Sequence, residues 1–308
     1  MHTHAHGRLR HHRIGIALLL NAVIFLVELS GGIFANSLAL ISDAMHNLSD
    51  CLALVLSYFA SRLMLRKSDA VRSYGYGRVE ILAAFVNAVI LALVGAYIVY
   101  AGVRRFLAPE QVKGGWMLAV ALIGFGANSA AALLLKPDAV RDLNLKSAYI
   151  HLLTDAAESL GVVLVAVLLV WQDGWGILDP ILSLLIGLFV VKGAWDLILE
   201  TTNILTEGTP RGIDLHDVAA FISSFPGIQS VHHVHIWGLS SEFRALSAHI
   251  VMEDQLISEG GRVVRLLEEG LDRRFGINHP TLQIESGACS GQDIIVDLHH
   301  PNPDRNTS

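Results

Sequence analysis

Ser42-Asp43-Ala44-Met45-His46-Asn47-Leu48-Ser49-Asp50 lies inside an apolar run, Leu38–Met64, that is long enough to cross a lipid bilayer. On an α-helix His46 and Asp50 sit about 40° apart around the axis and roughly 6 Å apart along it, on one face. The same H-x-x-x-D spacing returns at His151-Leu152-Leu153-Thr154-Asp155, inside a second long apolar run. Two helices, each offering an imidazole and a carboxylate, can together surround one divalent cation.

Composition agrees with a membrane setting. Of 308 residues, 53% are hydrophobic, and the mean hydropathy is +0.51. That excludes an ordinary soluble domain. The formal net charge of −6 says little, because half of the acidic residues fall in the C-terminal third. The cysteines, Cys51 in an apolar run and Cys289 in the polar C-terminal part, make no disulfide framework. Arg8, Arg10 and Arg13 followed by an apolar run imitate a signal peptide, but the run continues to Phe34 and further runs follow, so it reads as a retained first helix.

Six segments have spanning length: Ile14–Phe34, Leu38–Met64, Val79–Tyr100, Trp116–Leu135, Ser147–Trp171 and Ile177–Leu199. The breaks between them are Ala35-Asn36-Ser37, the polar stretch Arg66–Gly77, Pro109–Gly115, Lys136-Pro137-Asp138, which should stop the fourth helix, and Gln172-Asp173-Gly174. Asp179-Pro180 falls in the first turn of the sixth. Arg62, Arg66, Lys67, Arg72, Arg78, Lys136, Arg141 and Lys146 share one side with the N-terminal arginines, while only Arg104, Arg105 and Lys113 occupy the other. The first side is therefore expected to be cytoplasmic, with both termini on it. Size and short loops suggest a bacterial inner membrane.

The character changes near Gly208. Ile213–Ser224 reads as a short amphipathic helix, Gln229–Gly238 and Glu242–Met252 as strands, Leu256–Phe275 as a helix and Thr281–Glu285 as a last strand. That order suits a small α+β layer with its helices on one sheet face. The expected division is a His-rich N-terminal tail at 1–13, a transmembrane domain at 14–207, a cytoplasmic domain at 208–290 and a disordered tail at 291–308.

Ionisable residues inside a bilayer are costly and mark function. Zinc takes His nitrogen and Asp oxygen at about 2.0–2.2 Å in a tetrahedron. Two carboxylates cancel its charge, which removes most of the cost of carrying it through low dielectric. When the ion leaves, the same atoms accept protons, so metal and protons should exchange. Asp43 reads as an entry carboxylate or a helix-end partner. Glu28, Asn21, Asn87, Asn128 and Glu158 read as interhelical hydrogen-bonding groups, Cys51 as core filler, and Gly31-Gly32 and Gly124-x-Gly126 as points of close helix approach.

Four stretches together resemble the cation diffusion facilitator family of divalent-metal transporters, of the bacterial zinc-efflux type. They are Ser37–Asp50, Tyr74–Asn87 (Tyr-Gly-Tyr-Gly-Arg-Val-Glu), Asn144–Asp155 and Val231-His-His-Val-His-Ile-Trp237. The resemblance implies an α-helical membrane protein with six transmembrane helices, followed by a small α+β ferredoxin-like, metallochaperone-like cytoplasmic domain. It implies a homodimer in the lipid bilayer that exports Zn²⁺ by alternating access as protons enter, with no nucleic-acid partner and no enzymatic activity. Carried over, the transport site is His46, Asp50, His151 and Asp155; two His with two Asp goes with zinc, and a third Asp in place of the first His with broader acceptance that includes cadmium. A regulatory cytoplasmic site would use His232, His249 and Glu285, with His279 as a further candidate. Arg262 fills another ligand position of the family, which leaves a full binuclear site in doubt. Asp69, Arg72 and Tyr76 stand where some members bind metal with an Asp and two His, so no metal is expected there. Arg78 and Glu207 align with a charge interlock. Strand alternation puts His233 and His235 on the sheet face opposite His232. The N-terminal His2, His4, His6, His11 and His12 are either weak zinc collectors or a solvated tail.

Three other readings compete. An intramembrane metalloprotease would want H-E-x-x-H, which the chain lacks. A membrane metal sensor would bind metal without proton-coupled flux. A channel is disfavoured by a closed four-ligand site.

Overall fold

The structure is a computed structural model that describes residues 3–64, 66–139, 143–172, 175–286 and 293–295. Among them the order is α1 (Thr3–Ala35), α2 (Leu38–Met64), α3 (Gly77–Leu107), α4 (Gly114–Ala139), α5 (Leu143–Trp171), α6 (Leu178–Leu205), α7 (Leu215–Ser223), β1 (Ile228–Gly238), β2 (Arg244–Met252), α8 (Ile257–Phe275) and β3 (His279–Ser286). The side chains of the N-terminal histidines, with Arg141, Cys289 and 296–308, lie outside the described residues. The chain divides into two compact units, residues 1–58 with 86–197 and residues 59–85 with 198–308.

In the first unit α2 to α6 are each long and apolar enough to cross a membrane, and α1 adds a shorter apolar stretch, Leu19–Ala35, among the described residues. Their outer faces expose large apolar side chains such as Leu93, Leu134, Leu164 and Phe189, as lipid contact requires. Trp116, Trp171 and Trp175, all exposed, mark helix ends in the manner of an interfacial belt. The helix carrying Asp43, His46 and Asp50 is the interior one: half of its most apolar window is buried, against 22–33% in the other four. Burial of α2 is what lets a polar helix exist at membrane depth. Its first turn is anchored by Asp179 of α6. That buried carboxylate accepts from Ser37 Oγ at 2.6 Å and from the backbone N–H of Leu38 at 2.9 Å and of Ala39 at 3.2 Å, filling the N-cap role from another helix. Arg105 Nη1 lies 3.6 Å from the same carboxylate and Nη2 lies 2.7 Å from Glu110.

Helices approach closely at several glycines, Gly31, Gly32 and Gly124 among them. A Cβ on Gly31 would lie 2.5 Å from Val120 of α4, and one on Gly124 would collide with the carboxylate of Glu28. Gly126 differs from the expectation, since nothing lies within 4 Å of its Cβ position. The fourth helix also departs from its expected stop: its backbone stays helical through Pro137 to Ala139.

The second unit holds the three-stranded sheet, order β1-β2-β3, with β1 antiparallel and β3 parallel to β2. Val231, Val234, Ile236, Leu246, Ala248 and Ile250 of the sheet pack with Val218 and Ile222 of α7 and Leu267 and Leu271 of α8. Asp214 caps α7, its Oδ1 accepting from the N–H of His216 at 2.7 Å, and Gly276 closes α8 in the left-handed region at φ 64. Part of the expected disordered tail is ordered. His233 N donates to Asp293 O at 3.2 Å and Val234 N to Ile294 O at 2.8 Å, and Ile294 packs on the core, so apolar burial and two edge hydrogen bonds dock this piece of chain.

Candidate metal centre

His46 and Asp50 on α2 face His151 and Asp155 on α5. His46 Nε2 lies 3.7 Å from Asp50 Oδ2 and 3.6 Å from Asp155 Oδ1; His151 Nε2 lies 3.3 Å from Asp50 Oδ2 and 3.7 Å from Asp155 Oδ2. Each imidazole thus touches both carboxylates. Neighbouring ligand atoms of a tetrahedral zinc are about 3.3 Å apart, so three of these groups, His46, Asp50 and Asp155, already have ligand atoms gathered closely enough to hold an ion. The His46 and His151 rings are 6.5 Å apart between centroids, and His151 is the half-exposed member. Asp50 Oδ2 and both oxygens of Asp155 are buried without a hydrogen bond, which suits acceptors kept for a cation.

A second layer of buried polar groups backs the site. Asp43 Oδ2 accepts from Ser159 Oγ at 3.1 Å, and Asn47 Nδ2 donates to Glu28 Oε2 at 2.7 Å and to the Asp43 carbonyl at 3.3 Å. Glu28 joins α1 to α2 in this way, the interhelical role read from the sequence, with Gly124 leaving the room for it.

In the second unit His232, His249 and Glu285 come together. His249 Nδ1 is 2.7 Å from Glu285 Oε1, His232 Nε2 is 3.3 Å from Glu285 Oε2, and His232 and His249 are paired across β1 and β2. Among the described residues they form a group able to hold a metal ion. His279 does not join them. It packs between Tyr74 at 5.8 Å and Phe243 at 5.6 Å, near the opposite end of β3, roughly 20 Å along the strand from Glu285 at the usual rise per residue.

The expected alternation of β1 is also corrected. His232 pairs with His249 but His235 pairs with Ser247, so two residues of β1, His233 and Val234, oppose one of β2. This bulge, with His233 at φ 55, shifts the parity by one, sends Val234 into the core, and places His235 on the same face as His232.

In the loop before α3, Asp69 Oδ2 accepts from Tyr76 Oη at 3.3 Å, and the Arg72 guanidinium carbon lies 4.9 Å from the Tyr76 ring centroid. The backbone N–H of Arg72, then that of Val71, holds the Asp69 carboxyl below its usual range. Arg78 Nη2 meets Glu207 Oε1 at 2.9 Å; both are exposed, so the pair is individually weak.

Comparison with known proteins adds the family context. The family model described as the cation efflux transmembrane domain matches residues 14–206, and the one described as the cation efflux protein cytoplasmic domain matches 210–287. A Bacillus subtilis protein named as a cadmium, cobalt and zinc/H⁺-K⁺ antiporter is 36% identical, covering 91% of this chain and 91% of its own. The metal cation efflux system protein CzcD of Cupriavidus metallidurans is 36% identical over 95% of this chain and 92% of its own. The zinc transporter ZitB of Escherichia coli is 33% identical over 91% of this chain and 89% of its own.

Proposed function

The chain belongs to the cation efflux family, a family of multi-pass membrane transporters rather than enzymes, and we propose that it carries Zn²⁺ out of the cytoplasm in exchange for protons. One observation carries the reading: on two membrane-length helices, both imidazoles lie within 3.3–3.7 Å of both carboxylates. Two carboxylates neutralise one dication, and the nitrogen and oxygen donors suit zinc. His46, Asp50, His151 and Asp155 bind the ion. His151 completes the shell by moving inward as α2 and α5 rock against the other helices, opening the site to each side in turn. Protons take the ligands when the ion departs, since metal and proton compete for the same atoms. The chain works as a homodimer in a bacterial inner membrane with both termini in the cytoplasm, and His232, His249 and Glu285 bind a regulatory ion there.

The experiment is flux in proteoliposomes with zinc and pH read inside together. Zinc entry coupled to proton counter-movement supports antiport, whereas zinc flux that leaves internal pH unchanged removes it. Cadmium and cobalt in the names of relatives favour a second reading on selectivity, in which these ions share the path; competition in the same vesicles separates the two.

A further inference from the structure

The sheet face turned away from α7 and α8 carries the imidazoles of His233 and His235 beside the His232–His249–Glu285 group. We propose that His233 and His235 hold a second divalent cation, beside the one that group takes. This extends the cytoplasmic-metal part of the reading above and is independent of the transport site.

Two imidazoles sharing one tetrahedral zinc have ring centroids about 5 Å apart, given zinc–nitrogen bonds near 2 Å. The His233 and His235 rings are 5.0 Å apart at 65°. His233 also lies 4.8 Å from His249, whose Nδ1 meets Glu285 Oε1 at 2.7 Å.

The backbone is arranged for this pairing. His233 sits at φ 55, a conformation uncommon outside glycine, although histidine enters it more readily than most residues. The bulge it makes is what brings His235 onto the polar face with His232. The conformation is held from outside the strand by the bonds from His233 N and Val234 N to the Asp293 and Ile294 carbonyls. Strained backbone that the surroundings hold in place concentrates at functional sites.

A cation can reach the pair. Both rings are half-buried, and His235 lines a cavity of about 950 Å³ whose wall includes Trp237, Arg78 and Glu207, the last two paired with each other. Two imidazoles leave coordination positions for water, so this site fills at higher free zinc than the three-ligand group and exchanges faster.

The test is anomalous scattering at the zinc edge from crystals of the full-length protein equilibrated with Zn²⁺. A peak between His233 and His235, absent from His233→Ala/His235→Ala while the peak at His232, His249 and Glu285 remains, is the expected result. No peak there at saturating zinc, or one that survives the double substitution, overturns the proposal. Should that variant fold poorly, His235→Asn in equilibrium dialysis gives the same decision: one zinc fewer per chain than wild type supports the site, and an unchanged ratio rejects it. Loss of density at His46 and Asp50, or of flux, would count against the transport reading and leave this one standing.

Discussion

Asp50 Oδ2 lies 3.3 Å from His151 Nε2 on α5 and 3.7 Å from His46 Nε2 on its own helix. The contact between helices is shorter than the contact within one. The four side chains therefore make one cluster of contacts whose geometry depends on the spacing of α2 and α5, so relative movement of the two helices changes the distances among all four. That is the property a carrier needs and a static structural metal site does not.

Removing either carboxylate should stop transport. Asp50→Ala or Asp155→Ala leaves a net positive charge on the loaded site and one ligand fewer. Altering mere outer-shell partners of a metal site costs 10–100-fold, so a flux loss beyond about 100-fold is expected, with the dimer still present in light scattering. Wild-type flux in either variant would count against these residues.

Asp179→Asn should loosen the N-terminal end of α2. The amide keeps the size but loses acceptor strength toward Ser37, Leu38 and Ala39 and leaves Arg105 with less compensation. Losing a cap costs about 0.5–2 kcal/mol, and disturbing a buried charge pair adds to it. The thermal midpoint in detergent should fall by several degrees, and an unchanged midpoint would show that α2 is held by other contacts.

Gly31→Ala and Gly126→Ala should diverge, although sequence reading treats them alike. At Gly31 the new Cβ meets Val120 at 2.5 Å, and at Gly126 it meets nothing within 4 Å. Overpacking costs about 1–3 kcal/mol, whereas alanine in an open helical position gains roughly 0.5–1 kcal/mol over glycine. Parallel melting curves decide the sign of each.

Glu110 offers a pH test outside the membrane spans. Hydrogen bonds from Arg105 and Asn36, with the Arg105 charge, hold its carboxyl below the usual range. A carboxylate depressed on folding contributes stability above its unfolded value and loses it as pH falls through the folded value. The gap in melting midpoint between wild type and Glu110→Gln should be small, because the group is exposed, present at neutral pH, and closed in acid. A gap that widens on acidification would contradict the assignment.

What could be read from the sequence followed distance along the chain. The paired H-x-x-x-D pattern was legible because helical periodicity alone puts His46 with Asp50 and His151 with Asp155, and the Val231–Trp237 histidines were visible as candidate ligands. Their faces were not. Parity along a strand is reset by one extra residue, and nothing in His233 or Val234 announces a bulge. His279 was a candidate as an imidazole beside the strand that carries Glu285, yet β3 runs from His279 to Ser286 and separates the two by most of its length. Asp179 drew attention only as a helix-start residue, since its partners at Ser37 and Leu38 are more than a hundred residues away and belong to another helix. The stop expected for α4 at Lys136-Pro137-Asp138 was not met either, since the backbone there stays helical to Ala139.

His46→Asp probes selectivity most directly. It exchanges a neutral nitrogen donor for a third carboxylate, so the loaded site carries one negative charge more than it needs. A carboxylate can bind through one oxygen or two, so the altered shell accepts larger ions with higher coordination numbers, whereas two imidazoles hold the tetrahedron that zinc prefers. The variant should still transport, with the cadmium-to-zinc flux ratio raised on the order of tenfold, about 1.4 kcal/mol between the two ions. Dual-metal competition in proteoliposomes measures that ratio. An unchanged ratio with intact flux would mean that His46 does not touch the ion in the step that discriminates, and the donor at that corner would have to be sought in Asp43, one turn earlier on the same helix.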